Sequence, residues 1–222
     1  MGLTLRALDS VSHDGNTPLW TFGGGTSLAI DLNHRVSYDI DAFLDSAKVI
    51  QTLVPVKNVV TRLICWNNEQ NRADFQYPGH YLKLIVRNKG EIDFLSTSPL
   101  TEDAIVPFSF HGRHIDRERP AEIIAKKIYY RGSQFKARDI FDLACTYAQM
   151  PTEIDIAANS PFMSADVYSR TRLRIEQRVD QFRKEIAVEV NPTKLGNAYM
   201  KDACDLALEA LDAMELGKSP IP

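Results

Sequence analysis

Leu19-Trp20-Thr21-Phe22-Gly23-Gly24-Gly25-Thr26-Ser27-Leu28-Ala29-Ile30, followed by Tyr38-Asp39-Ile40-Asp41-Ala42-Phe43, is the stretch that decides the architecture. Residues 19–22 are apolar and aromatic and read as a short strand. Three glycines interrupt it. Thr26 is suited to cap a helix whose first turns run through Ile30. Residues 38–43 alternate apolar and polar and read as a second strand. Strand, glycine turn, helix and strand in that order define an α/β protein.

The same stretch carries the chemistry. A glycine turn lets backbone N–H groups approach a phosphate without side-chain obstruction, and the helix that follows adds partial positive charge. Asp39 and Asp41 flank Ile40, so both carboxylates leave one face of the strand. Two carboxylates held side by side repel each other unless a cation lies between them, and hard oxygen ligands suit Mg²⁺. A third acid would complete a two-metal site. Asp93, in Glu91-Ile92-Asp93-Phe94-Leu95, is the candidate, because Ile92 and Phe94 face a core and leave Asp93 on the other side. Glu91 shares that face and is the alternative. No Gly-Lys-Ser/Thr follows the glycines, and the G-x-G-x-x-G spacing is absent, which argues against a P-loop and a dinucleotide turn.

Outward from this core, residues 1–18 read as a mixed, turn-rich leading segment. A helix is expected over about 45–53. Residues 81–87 and 91–95 form a hairpin about Asn88-Lys89-Gly90, and 105–110 is one more strand. Beyond Pro120 the pattern turns helical: 121–131, then 137–149 ended by Pro151, a long helix over 164–188, and a last one over 195–215. The expected division is 1–118 for the α/β core and 119–222 for a helical region.

The chain has 222 residues, 44 % hydrophobic and 25 % charged, which fits a folded protein and excludes a disordered or fibrous one. Its 26 Lys and Arg against 29 Asp and Glu exclude a bulk polycation. The charge is uneven: residues 113–138 hold eight Lys or Arg against three acids, so a basic surface able to meet nucleic-acid phosphates is expected there. The cysteines, Cys65, Cys145 and Cys204, are odd in number and scattered, which suits a reducing cytoplasm rather than a disulfide framework. No run of eighteen apolar residues predicts a membrane span.

Two blocks resemble a known family. Gly24-Gly25-Thr26-Ser27-Leu28-Ala29 with His34-Arg35-Val36-Ser37-Tyr38-Asp39-Ile40-Asp41 is similar to the first motif of the AbiEii/AbiGii nucleotidyltransferase toxin-like proteins, within the DNA polymerase β-type superfamily. Thirteen residues separate Gly25 from Asp39, at the long end of the superfamily's range. Glu122-Ile123-Ile124-Ala125-Lys126-Lys127-Ile128 and Arg138-Asp139-Ile140-Phe141-Asp142-Leu143 resemble the helical second block.

The resemblance implies a polymerase β-type core and Mg²⁺-dependent transfer of a nucleotidyl group from a nucleoside triphosphate. The acceptor it implies is RNA, with a tRNA 3′ end foremost and a protein hydroxyl as competitor. It implies two metals on Asp39, Asp41 and Asp93, with Asp93 able to take the acceptor's proton. Gly24, Gly25, Thr26 and Ser27 would hold the phosphates, and Arg35 and Lys127 would offset their charge. Lys126 is the rival of Lys127 by composition. Asp139 would orient Lys127 or the acceptor, or serve only as a first-turn acid of its helix. A cognate antitoxin is the implied partner. The alternative of another class is a non-catalytic module that keeps the fold.

Overall fold

The computed structural model describes residues 1–12 and 16–217. The chain opens with α1 (Gly2–Asp9), β1 (Trp20–Gly23) and α2 (Gly24–Leu32), then β2 (Ile40–Leu44), α3 (Ala47–Leu53) and α4 (Val59–Ile64). Short β3 (Trp66–Asn67), β4 (Arg72–Ala73) and β5 (Phe75–Gln76) precede the hairpin of β6 (Tyr81–Val86) and β7 (Gly90–Ser96). A second hairpin, β8 (Ile105–Phe110) and β9 (Arg113–Glu118), leads into helices α5 (Pro120–Arg131), α6 (Ala137–Gln149), α7 (Pro151–Ala158), α8 (Ala165–Glu176), α9 (Val179–Glu189) and α10 (Ala203–Leu216). No helix among the described residues is long and apolar enough to cross a membrane.

The chain divides into two compact units. The first comprises residues 1–27, 37–98 and 106–117; the second comprises 28–36, 99–105 and 118–222.

The first unit is built on a seven-stranded mixed sheet in the order β5-β6-β7-β2-β1-β9-β8. Period-two alternation drives it: Ile40, Ala42 and Leu44 of β2, Leu82, Leu84 and Val86 of β6, and Ile92 and Phe94 of β7 are all buried. They form one core with Leu5 and Leu8 of α1, Ile50 and Leu53 of α3, and Phe22 of β1. Each Leu, Ile, Val or Phe among them contributes roughly 1.5–3 kcal/mol by leaving water. The opposite face carries Asp41, Asp93 and Lys83. β2 runs antiparallel to β1 and parallel to β7, pairing Gly23 with Asp41 and Asp41 with Asp93. The β6–β7 hairpin pairs Asp93 with Lys83.

The second unit is helical. Ile124 and Ile128 of α5, Ile140, Phe141 and Ala144 of α6, and Ala207, Ala210 and Leu211 of α10 share its core with Tyr168, Ile175, Phe182 and Ile186. The loop 33–36 belongs to this unit and is bonded to the segment before the last helix. Val36 N–H donates to Asn191 O at 2.9 Å and Thr193 N–H to His34 O at 3.0 Å. Arg35 bridges Pro192. Gly196 lies so close that a Cβ there would stand 1.8 Å from His34 O.

Several expectations are corrected. The leading segment is not turn-rich throughout: residues 2–9 are α1, while 13–15 lie outside the described residues. Pro151 both follows α6 and starts α7 at its first turn, where its missing N–H costs nothing. The 164–188 helix is two helices, broken at Gln177 and Arg178, where Arg178 leaves helical geometry with its guanidinium 5.1 Å from the Phe182 ring. The last helix begins at Ala203, after a 3₁₀ turn over Gly196–Tyr199. The basic run 113–138 is not a continuous basic surface, since Arg117, Lys126 and Lys127 are buried.

Candidate active site

Four adjacent strands set out a row on the face of the first unit's sheet opposite its core: Lys83 on β6, Asp93 on β7, Asp41 on β2 and Gly23 on β1. Register alone brings these groups together, because residues paired across strands share a face. Asp39 stands just before β2, two residues from Asp41.

The glycine turn is fitted to this row. Gly24 has φ +68°, a left-handed conformation that glycine adopts without strain. A Cβ at Gly24 would lie 1.7 Å from Asp41 Oδ2, so the carboxylate occupies the space a side chain would need. α2 begins at Gly24, and the first backbone N–H groups of a helix have no partner within it. Thr26 does not cap the helix. Its hydroxyl donates to Asp39 O and contacts Ser37 Oγ at 2.8 Å, which ties the turn to the residue that starts the acidic row. Ser27 is fully buried, and its carbonyl accepts from Arg117 Nη1 at 3.1 Å.

Each acid has a distinct setting. Asp39 Oδ1 accepts from Glu91 N at 3.0 Å, next to Gly90, where a Cβ would stand 2.9 Å from the same oxygen. Asp93 Oδ2 accepts from Lys83 Nζ at 3.0 Å, and Lys83 Nζ also donates to Glu91 Oε2. Asp93 Oδ1 is buried and has no hydrogen-bond partner. Burial pushes the Asp93 carboxyl above its ordinary range; Lys83 opposes this, and the Glu91 and Asp39 charges add to it. Burial works against the Lys83 ammonium, but the hydrogen bond to Glu91 and the Asp93 charge outweigh it and hold its pKa above the usual value.

No group of three or more His, Cys, Asp or Glu side chains among the described residues forms a ready-made metal cage. The donor set nonetheless suits a hard divalent ion. It consists of carboxylates on neighbouring strands, and Asp93 Oδ1 is the orphaned buried oxygen that such an ion would satisfy.

The other predicted residues meet within the second unit. Asp142 of α6 is fully buried, and Arg35 grips it with two hydrogen bonds, Nε to Oδ1 at 2.6 Å and Nη2 to Oδ2 at 2.9 Å. His34 Nε2 lies 2.7 Å from Oδ1, and Lys127 Nζ of α5 lies 3.0 Å from Oδ2. Lys127 Nζ also donates to Asp139 Oδ1, which accepts from Arg131 Nη1 at 2.8 Å. Burial would raise the Asp142 carboxyl, but the Arg35 and Lys127 charges and the Arg35 and His34 hydrogen bonds hold it well below the usual range. Asp139 is likewise held low against its burial, by Lys127 and Arg131. Lys126 is occupied elsewhere, with Glu118 and Glu122.

Two contributors escaped the sequence reading. Lys83 lies within the expected 81–87 strand, but its tie to Asp93 needs the hairpin register, with Val86 opposite Gly90. Asp142 is present in the second motif, but its three basic partners come from segments about 107 and 15 residues away.

A glycine turn pressed against a strand carboxylate, with a second carboxylate beside it in register, is an arrangement suited to phosphate-transfer chemistry. The family described as "Nucleotidyl transferase AbiEii toxin, Type IV TA system" matches residues 6–194. The chain therefore belongs to the AbiEii nucleotidyltransferase toxins of type IV toxin–antitoxin systems, and its activity is nucleotidyl transfer. That membership implies a nucleotide substrate and an antitoxin partner. Among solved structures, it is similar to MenT4, a nucleotidyltransferase toxin from Mycobacterium tuberculosis, at 15 % identity and a TM-score of 0.41, over 92 % of each chain. A comparison with the curated proteins gives no match.

Proposed function

We propose that this protein transfers a nucleotidyl group from a nucleoside triphosphate to RNA, at a 3′ end such as that of tRNA, with Mg²⁺ held by Asp39, Asp41 and Asp93. The observation that carries the reading is the in-register row of Gly23, Asp41 and Asp93, with Gly24 packed on the Asp41 carboxylate. When bound, Mg²⁺ supplies the positive charge that steadies a pyrophosphate leaving group and activates an acceptor oxygen.

The chain's own groups do the rest. The backbone of Gly24, Gly25, Thr26 and Ser27 at the start of α2 receives the β- and γ-phosphates. Thr26 fixes that turn through Asp39 O. Asp93 takes the acceptor's proton. Within the second unit Asp139 is the positioning residue of Lys127, which it contacts directly. The reaction belongs in the cytoplasm, where triphosphates and RNA are at hand.

The test is incubation of the full chain with each α-labelled nucleoside triphosphate, Mg²⁺, total RNA and a protein extract. Label on RNA that disappears in Asp41→Asn supports the reading. Label on protein would replace RNA by a protein hydroxyl as acceptor. Label nowhere, with no Mg²⁺-dependent stabilisation by any triphosphate, would leave a non-catalytic module.

A further inference from the structure

Lys83 is unusual for a strand lysine. Its side chain is four-fifths removed from solvent, and its ammonium touches two carboxylates, Asp93 and Glu91. It stands at one end of the row that continues through Asp93 and Asp41 to Gly23. Asp93 is thus asymmetric. Its Oδ2 is taken by Lys83, and its buried Oδ1 has no partner. The ammonium stands beside the very carboxylate that the proposed metal site requires.

We propose that Lys83 is a built-in counter-cation for the acidic row: it holds Asp93 and Glu91 while no divalent ion is present, and it opposes a metal ion at Asp93. This rests on the assignment of Asp93 to the metal site. The physical basis is direct. Two carboxylates on adjacent positions of one sheet face repel, and an intervening cation relieves that repulsion. A metal ion at Asp93 relieves it too, but must displace the ammonium from Oδ2 and then bear it nearby as a like charge. Lys83 therefore keeps the row ordered without metal and weakens metal affinity in return. Metal loading moves the ammonium onto Glu91 alone. Lys83 is a positioning residue, and its effect is read in metal binding before any turnover.

The experiment is titration of the nucleotide-free full chain with Mn²⁺, following free ion by electron paramagnetic resonance, for wild type, Lys83→Met and Lys83→Arg. Lys83→Met removes the charge and keeps the length, and tightens Mn²⁺ about tenfold. Lys83→Arg keeps the charge and grips both carboxylates with a planar fork, so it weakens Mn²⁺ severalfold. The expected order of affinity is Met, then Lys, then Arg. Lys83→Met leaves two carboxylates unpaired and lowers metal-free stability, and Mn²⁺ raises its melting temperature more than that of wild type. Should Lys83→Met not fold even with Mn²⁺, the Arg variant decides alone: affinity equal to or above wild type overturns the proposal. A flat series overturns it as well, if wild type binds Mn²⁺ and Asp41→Asn does not. A wild-type chain that binds no Mn²⁺ overturns the metal assignment itself, and this inference with it.

Discussion

The carboxylate of Asp41 sits where a side chain on Gly24 would have to be, with 1.7 Å between Oδ2 and the position of a Cβ. The acid and the turn are therefore one fitted unit, and neither can change alone.

Gly24→Ala is expected to be costly on two grounds. The added methyl displaces Asp41, and the left-handed backbone at φ +68° strains any L side chain. The combined loss of stability is about 3 kcal/mol. Urea denaturation measures it, and nucleotidyl transfer should fall below detection. A variant with wild-type stability and activity would show that the turn and Asp41 are independent.

Asp142→Asn removes a buried anion that Arg35, His34 and Lys127 share. Leaving the Arg35 and Lys127 charges buried without it costs about 3–5 kcal/mol. The same carboxylate sets an acid limit. Its folded pKa lies well below that of the unfolded chain, as does that of Asp139. The stabilisation they give is fully present above about pH 4, the unfolded value, and drains away as pH falls toward their folded values. Thermal melts from pH 7 to pH 2.5 should show a steep drop below about pH 4, and that drop should be shallower in Asp142→Asn.

Gly196→Ala tests the bond between the 33–36 loop and the 191–196 segment. A methyl 1.8 Å from His34 O forces the two backbones apart. Hydrogen exchange should accelerate at Val36 and Thr193, whose amides are spent on this contact, while the β6–β7 hairpin stays protected. Unchanged exchange at both amides would refute the contact.

The cysteines should be silent in the native state. All three are buried, and burial pushes the Cys65 and Cys204 thiols up to about 11 and Cys145 higher still. A thiol reagent at pH 8 should label none of them until denaturant unfolds the chain. Rapid native labelling at Cys145 would contradict its position in the core between α6 and its neighbours.

What the sequence made legible follows from periodicity. Alternation about Ile40 and Ile92 announced β2 and β7, and α6 spans the residues its pattern predicts, 137–149. Asp39 and Asp41 were visible because their spacing fixes their side of the strand. What stayed hidden depended on pairing or packing. α1 has only eight residues and no side-chain cap, and it is held by burying Leu5 and Leu8. The break at Gln177 contains neither proline nor glycine, and Tyr168, Ile175, Phe182 and Ile186 keep helical spacing across it, so periodicity runs straight through. The burial of Lys126 and Lys127 could not be read from charge, because their partners lie on other elements or one turn away.

The bonds between residues 33–36 and 191–196 also have a consequence in time. Some 155 residues separate Val36 from Asn191. At ribosomal speeds that distance takes roughly 8–30 s to synthesise. Through that interval the loop leading into Asp39 lacks the backbone partners that hold it in the finished fold. The 33–36 loop is thus among the last pieces to be fastened, although the strand that follows it is paired with β1 and β7 much earlier.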